Sequence, residues 1–192
     1  MIDHKKITDS EDWEHFIQDQ GTKTAANIAV EILKDCFIFV ESDKKHYYYN
    51  GHIWVREPDP RGLVFNIFSS LLKYHTERCS EYDDYTIRLL EKTMQKIEQY
   101  RFRSEIVLDL SSSPEIFRPD VLFDSPSIRE TLTLQDGVLD FSTKQVKFRK
   151  STQAEYRRDV LPYKVDDIKN AGTPEKFMTF MNDNFKDPET MQ

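Results

Sequence analysis

Residues 131–149 constrain the fold more than any other stretch of this 192-residue chain. Thr131-Leu-Thr-Leu-Gln-Asp136-Gly137-Val-Leu-Asp-Phe141 alternates apolar and polar residues through an Asp-Gly step. That is the pattern of half-buried strands joined by a tight turn. Closing the hairpin on Asp136-Gly137 sets Leu134 beside Leu139 and Leu132 beside Phe141. A second turn over Ser142–Gln145 brings Phe141 to Val146 and Leu139 to Phe148. One face of the resulting three-stranded meander is then wholly apolar, and Lys147 and Arg149 face the other way. A slip of one residue would invert every side chain, so the alternation itself holds the register.

Asn50-Gly51 gives the same signal earlier, between Tyr47-Tyr-Tyr49 and His52-Ile-Trp-Val55. A type I′ turn there pairs Tyr49 with His52 and Tyr47 with Trp54 on one face. Around these hairpins the apolar spacing is helical. It predicts helices over about 24–35, with Thr22 or Thr24 as N-cap, over 61–78 after Asp59-Pro60, over 84–103, and over 174–185 after Thr173-Pro174. Phe37-Ile-Phe-Val40 reads as a strand, and Ser113-Pro-Glu115 as the cap of one short turn. Helices and strands do not alternate as βαβ units. The expected class is therefore α+β, with amphipathic helices packed on two small antiparallel hairpin or meander units. Residues 1–22 read as a polar, partly ordered leader around Trp13-Glu-His-Phe-Ile17, a docking helix or a frayed end. Residues 23–192 read as a single domain.

Composition excludes several classes. Charged residues are 32% of the chain, hydrophobic residues 38% and the net charge −7. The longest apolar run, Cys36-Phe-Ile-Phe-Val40, is far short of the about 20 residues a membrane span needs. No apolar signal-peptide core follows Met1, so a cytoplasmic protein without a membrane partner is expected. Cys36 and Cys79 form no metal or redox motif. His46 and His52 fall on opposite faces of their hairpin, and no HExxH or Cys/His pair occurs. Five glycines provide neither GxGxxG nor GxxxxGK. No acid, base and nucleophile come together, so the segment is expected to be non-catalytic and without a cofactor.

Charge is unevenly spread. Residues 144–164 hold Lys144, Lys147, Arg149, Lys150, Arg157, Arg158 and Lys164 against Glu155 and Asp159. Such a stretch can face phosphates, with Tyr156 and Tyr163 stacking on unpaired bases. Lys147, Arg149, Lys150, Arg157 and Arg158 are the candidate nucleic-acid contacts. The alternative is a solvated strand face paired with acids such as Asp140. Tyr47 and Trp54 are candidate partner-binding residues if the aromatic hairpin face is exposed.

Four segments, in order, carry a resemblance. Tyr49-Asn-Gly-His-Ile-Trp54 comes first, then Phe123-Asp124 with Leu132-Thr-Leu-Gln-Asp-Gly-Val-Leu-Asp-Phe141. Leu161-Pro-Tyr163 with Asp166 follows, and Pro174-Glu-Lys-Phe177 with Asp187-Pro-Glu189 comes last. Over about 37–192 the chain resembles the N-terminal accessory domain of phage, plasmid and poxvirus-type primase-helicases, the domain that precedes a superfamily 3 helicase. It departs in having Asp136 where Asn is commoner and in lacking a glycine in the 142–145 turn. The resemblance implies a non-catalytic domain that supports helicase assembly and DNA engagement in replication. Its implied partners are single-stranded or forked DNA, weakly bound, and a helicase domain in cis or trans through which it would oligomerise. That helicase would follow 173–192. A protein-interaction module of a mobile element, with no DNA binding of its own, is the alternative expectation.

Overall fold

The computed structural model describes residues 2–78, 84–125, 131–142 and 146–170. The helix expected at 174–185, the helicase-proximal end at 173–192, Cys79 and Lys144 lie outside the described residues. The class is α+β, as expected, with one four-stranded and one three-stranded sheet among the described residues. Contacts divide the chain into two compact units. The first is 1–50 with 54–122. The second is 51–53 with 123–192, so the tip of the aromatic hairpin belongs to the second unit.

The first unit begins with α1 (His4–Thr8) and α2 (Glu11–Asp19). The segment read as a leader thus supplies Ile7, Trp13, Phe16 and Ile17 to the core. Ser10 caps α2 by accepting the Trp13 amide, which fixes where that aromatic turn starts. Trp13 stacks on Phe68 with ring centroids 6.4 Å apart, and Phe16 meets the same ring at 5.1 Å. In α3 (Thr22–Leu33) the N-cap is Gly21, not a threonine. No side chain caps its first-turn amides; the Asp19 carboxylate holds the entry to the helix, accepting the Gly21 amide at 2.8 Å and the Thr24 hydroxyl at 3.1 Å.

Three strands follow, β1 (Phe37–Val40), β2 (Lys45–Tyr49) and β3 (Trp54–Glu57). Then come α4 (Pro60–Arg78), opening on its proline, α5 (Asp84–Glu98) and α6 (Tyr100–Ser112). The single helix expected over 84–103 is thus two. Gln99 is extended at φ −70°, ψ 124°, and Arg103 Nη1 donates to the end carbonyls of α5, Ile97 O at 2.9 Å and Glu98 O at 2.8 Å. α6 continues to Ser112, and Ser113, extended ahead of Pro114, ends it. β4 (Phe117–Arg118) then pairs parallel to β1 and completes the order β3-β2-β1-β4.

The β2–β3 register pairs Tyr49 with Trp54 and Tyr47 with Arg56, so the loop is Asn50–Ile53 and not Asn50-Gly51 alone. Within it Gly51 takes φ +92°, a conformation side chains other than hydrogen rarely accept.

The second unit holds β5 (Thr131–Thr133), β6 (Val138–Asp140) and β7 (Lys147–Arg149) in the order β5-β6-β7. Leu139 pairs with Phe148 as expected. Leu132 pairs with Leu139 instead of Phe141, and Leu134–Gly137 forms the turn. Gly137 has no positive φ. A Cβ there would lie 2.5 Å from the Phe148 ring and 2.6 Å from Arg149 O, so close approach of β7 requires the glycine. A short 3-10 turn (Gln153–Glu155) and α7 (Val165–Asn170) complete the unit.

Candidate nucleic-acid interface

The meander gives the second unit two chemically different faces. Leu132, Leu139 and Phe148 share one. The other carries Thr131, Thr133, Val138, Asp140, Lys147 and Arg149, and there Arg149 meets acids. Arg149 Nε donates to Asp140 Oδ2 at 3.1 Å, and its Nη2 to Glu155 Oε1 at 2.5 Å. Arg157, 2% exposed, donates from Nη2 to the same Glu155 oxygen at 3.0 Å and to Thr131 Oγ1 at 2.9 Å. Its Nη1 donates to Thr133 Oγ1 at 2.9 Å. Asp140, Arg149, Glu155 and Arg157 are therefore a neutral chain of alternating charge, closed by two threonine hydroxyls.

Local geometry places each member. Thr152 and Glu155 form a capping box, the Thr152 amide donating to Glu155 Oε2 at 2.9 Å, which aims that carboxylate at both arginines. Tyr156 adopts the left-handed region at φ 46°, ψ 44° and turns the chain. Ser142, through hydroxyl and amide, and then Arg149 hold the Asp140 carboxyl down to about 2. Burial opposes ionisation of Glu155, but Arg149, Arg157 and the Thr152 amide outweigh it and keep that carboxyl below the usual range. Glu155, and then Asp140, raise the Arg149 guanidinium further above its ordinary value against the opposing effect of burial.

Of the candidate contacts, then, Arg157 is inside and Arg149 is neutralised. Arg149 does what the alternative reading assigned to the stretch, down to the partner Asp140, whereas Arg157 is buried instead of solvated and its acid is Glu155. Lys147, Lys150 and Arg158 are exposed. Lys150 Nζ reaches Asp136 O at 2.9 Å, and the Arg158 guanidinium lies 5.3 Å from the Phe123 ring. Glu155 was not singled out from the sequence, although Thr152-Gln-Ala-Glu155 has the spacing of a capping box.

Among the described residues, parts of three resemblance-bearing segments fall in this unit. His52 hydrogen-bonds to Leu134 O through Nε2. Asp124 accepts the amides of Arg158 at 2.9 Å and Asp159 at 3.2 Å. Leu161 N donates to Thr133 O and Gln135 N to Tyr163 O, both at 2.9 Å. Asp136 accepts the Val165 amide at 3.1 Å, a task its asparagine counterpart would share.

Tyr47 and Trp54 do not form an exposed aromatic face. Each is 1% exposed, and it is Tyr48 and Val55 that face outward. Trp54 lies against the Tyr49 ring at 5.5 Å, and the Tyr47 hydroxyl donates to Asp43 Oδ2 at 2.5 Å.

Among the described residues two serines lie beside imidazoles: Ser70 Oγ meets His4 Nε2, and His46 Nε2 and Ser111 Oγ are 2.8 Å apart. The Ser111 hydroxyl donates its proton to Val107 O at 2.6 Å, so His46 is the donor to Ser111 and the hydroxyl is not activated. Among the described residues no group of three or more His, Cys, Asp or Glu is arranged to hold a metal ion, and no helix is long and apolar enough to cross a membrane.

Burial pushes the His46 imidazole below its ordinary value, and burial, with help from Arg78, does the same at His75. The unfolded chain therefore takes up these protons first as pH falls below about 6.5. Stability should be full above that pH and decline toward pH 5.5, before the carboxylates add their own loss below about pH 4.5. Urea midpoints at pH 7.5 and 5.5 test this. His46→Asn should shrink the difference, and equal midpoints in the wild-type chain would contradict the burial of both imidazoles.

No protein-family model matches the chain, and no curated protein matches it.

Proposed function

We propose that this chain is a non-catalytic accessory domain of a phage- or mobile-element-type DNA primase-helicase, supporting helicase assembly and DNA engagement. One observation carries the reading. The segments at 51–53, 123–124, 132–141 and 161–165, scattered in sequence, belong to one compact unit; hydrogen bonds tie 51–53 and 161–165 to 132–141, and 123–124 to the adjoining 156–159. A set of motifs that builds one unit is the behaviour of a domain family, whereas unrelated turn signals would each serve their own hairpin. In this reading ATP turnover and ring formation belong to a superfamily 3 helicase domain in cis or trans. This segment contributes a surface.

DNA contact then falls to Lys147, Lys150 and Arg158, because Arg149 and Arg157 already serve acids. Three phosphate contacts on a single strand give a salt slope near −2, or roughly twentyfold weaker binding between 50 and 200 mM salt. Fluorescence anisotropy with labelled single-stranded and forked DNA should show that slope. The charge reversal K147E/K150E/R158E should abolish it. Equal binding by wild type and triple variant at low salt would remove the assigned surface.

A further inference from the structure

We propose that the first unit carries a site for one unpaired nucleotide, in the cleft between the start of α4 and the α5–α6 junction. The cleft has a volume of about 570 Å3, within the range of small-ligand sites. Arg61, Phe65, Tyr100 and Arg103 line it, with the carboxylates of Asp59 and Glu98. Tyr100 is 62% exposed, and the Arg61 guanidinium stacks on its ring 4.6 Å from the centroid while donating to its hydroxyl. A ring backed on one side by a guanidinium and open to solvent is a platform for a planar base.

Arg103 provides the charge. Its Nη1 is held by the carbonyls of Ile97 and Glu98, and its carbon centre lies 5.4 Å from the Phe65 ring. Among the described residues it has no carboxylate partner, and its buried Nε has no hydrogen-bond partner. It is a fixed cation with donors to spare, the form that suits a phosphate oxygen. Arg61 has a carboxylate only at 3.8 Å, Asp59 Oδ1. Asp59 and Glu98 argue against a bare anion. They fit a ligand that is anionic at one end and presents base N–H donors at the other.

The ligand can be a nucleotide within a strand or a free one. The inference deepens the DNA reading and rests on it for the first of these sources. The test uses a labelled oligothymidylate by anisotropy, and dTMP, dGMP and inorganic phosphate by calorimetry, with the full chain. Tyr100→Ala and Arg61→Ala should each weaken oligonucleotide binding about tenfold, the loss expected of one base stack, while Tyr100→Phe retains it. Both substituted side chains lie at the surface of the cleft, and circular dichroism checks that the variants stay folded. If both alanine variants bind every probe like wild type while K147E/K150E/R158E loses the strand, the site is wrong and the DNA reading stands. Tyr100-dependent binding of dTMP or dGMP with no strand binding keeps the site, makes the free nucleotide its ligand and removes the DNA reading. If wild type binds none of the probes, or phosphate as well as dTMP, the inference is overturned.

Discussion

Arg157→Ala should lower the stability of the second unit by about 3 kcal/mol, the low end for removing one partner of a buried ion pair. The guanidinium is 2% exposed and satisfies three acceptors, Glu155, Thr131 and Thr133. Removing it leaves a cavity and two threonine hydroxyls without their donor. Glu155 retains Arg149, which is why the low end applies. Arg157→Lys should fall between, because a single ammonium cannot reach both threonines and the carboxylate as a planar fork does. Hydrogen exchange at the amides of β5 and β6 reports the unit directly: protection should drop about a hundredfold in the alanine variant. A second readout separates structure from contact. At low salt the folded Arg157→Lys protein should bind DNA like wild type, since the side chain is not at the surface. A change below 0.5 kcal/mol in Arg157→Ala would mean the guanidinium is not buried as described.

Arg157 also shows where the sequence stopped being legible. Nothing in Tyr156-Arg-Arg158 distinguishes the buried arginine from the exposed one beside it. The choice is made by the hydroxyls of Thr131 and Thr133, which reach the guanidinium only once the meander has formed. Which residues share a face, by contrast, was readable, but not which face is covered: Leu132 and Phe148 on the apolar face are 44% and 42% exposed, while Thr133 and Val138 on the other are buried. In both hairpins the pairing differs from a turn closed on Asn-Gly or Asp-Gly, with Tyr49 opposite Trp54 and Leu132 opposite Leu139. Each difference moves the partner by an even number of positions, and side chains alternate with a period of two, so every residue keeps its face. The turn itself was less legible because glycine answers two separate needs. Gly51 supplies a positive φ, whereas Gly137 makes room for the Phe148 ring and the β7 backbone. β4 was invisible because Phe117-Arg118 becomes a strand only beside β1. The α5–α6 break was hidden because Arg103 satisfies the carbonyls of Ile97 and Glu98 from the next helix, leaving the apolar spacing uninterrupted. Trp13 and Phe16 showed an apolar cluster, but only Phe68, far along the chain, makes it part of the core.

Trp54→Ala should destabilise the protein by about 3–5 kcal/mol, the usual cost of deleting a buried indole. The side chain is 1% exposed and stands opposite Tyr49 across β2–β3, with the rings 5.5 Å apart at 47°. Trp54→Phe, which keeps a ring for Tyr49, should lose less than half of that. On the outward face of the same hairpin, Tyr48→Ala and Val55→Ala should each stay within about 1 kcal/mol, since Tyr48 is 38% and Val55 43% exposed. Thermal unfolding of the four variants orders them. An unchanged Tm in Trp54→Ala would put the indole at the surface and restore Tyr47 and Trp54 as a docking face. With the expected ordering, loss of any partner on Trp54→Ala follows from unfolding and identifies no interface. Tyr48→Ala then becomes the variant that asks whether the hairpin touches a partner, because it changes the exposed face while leaving the Tyr47–Trp54 side intact.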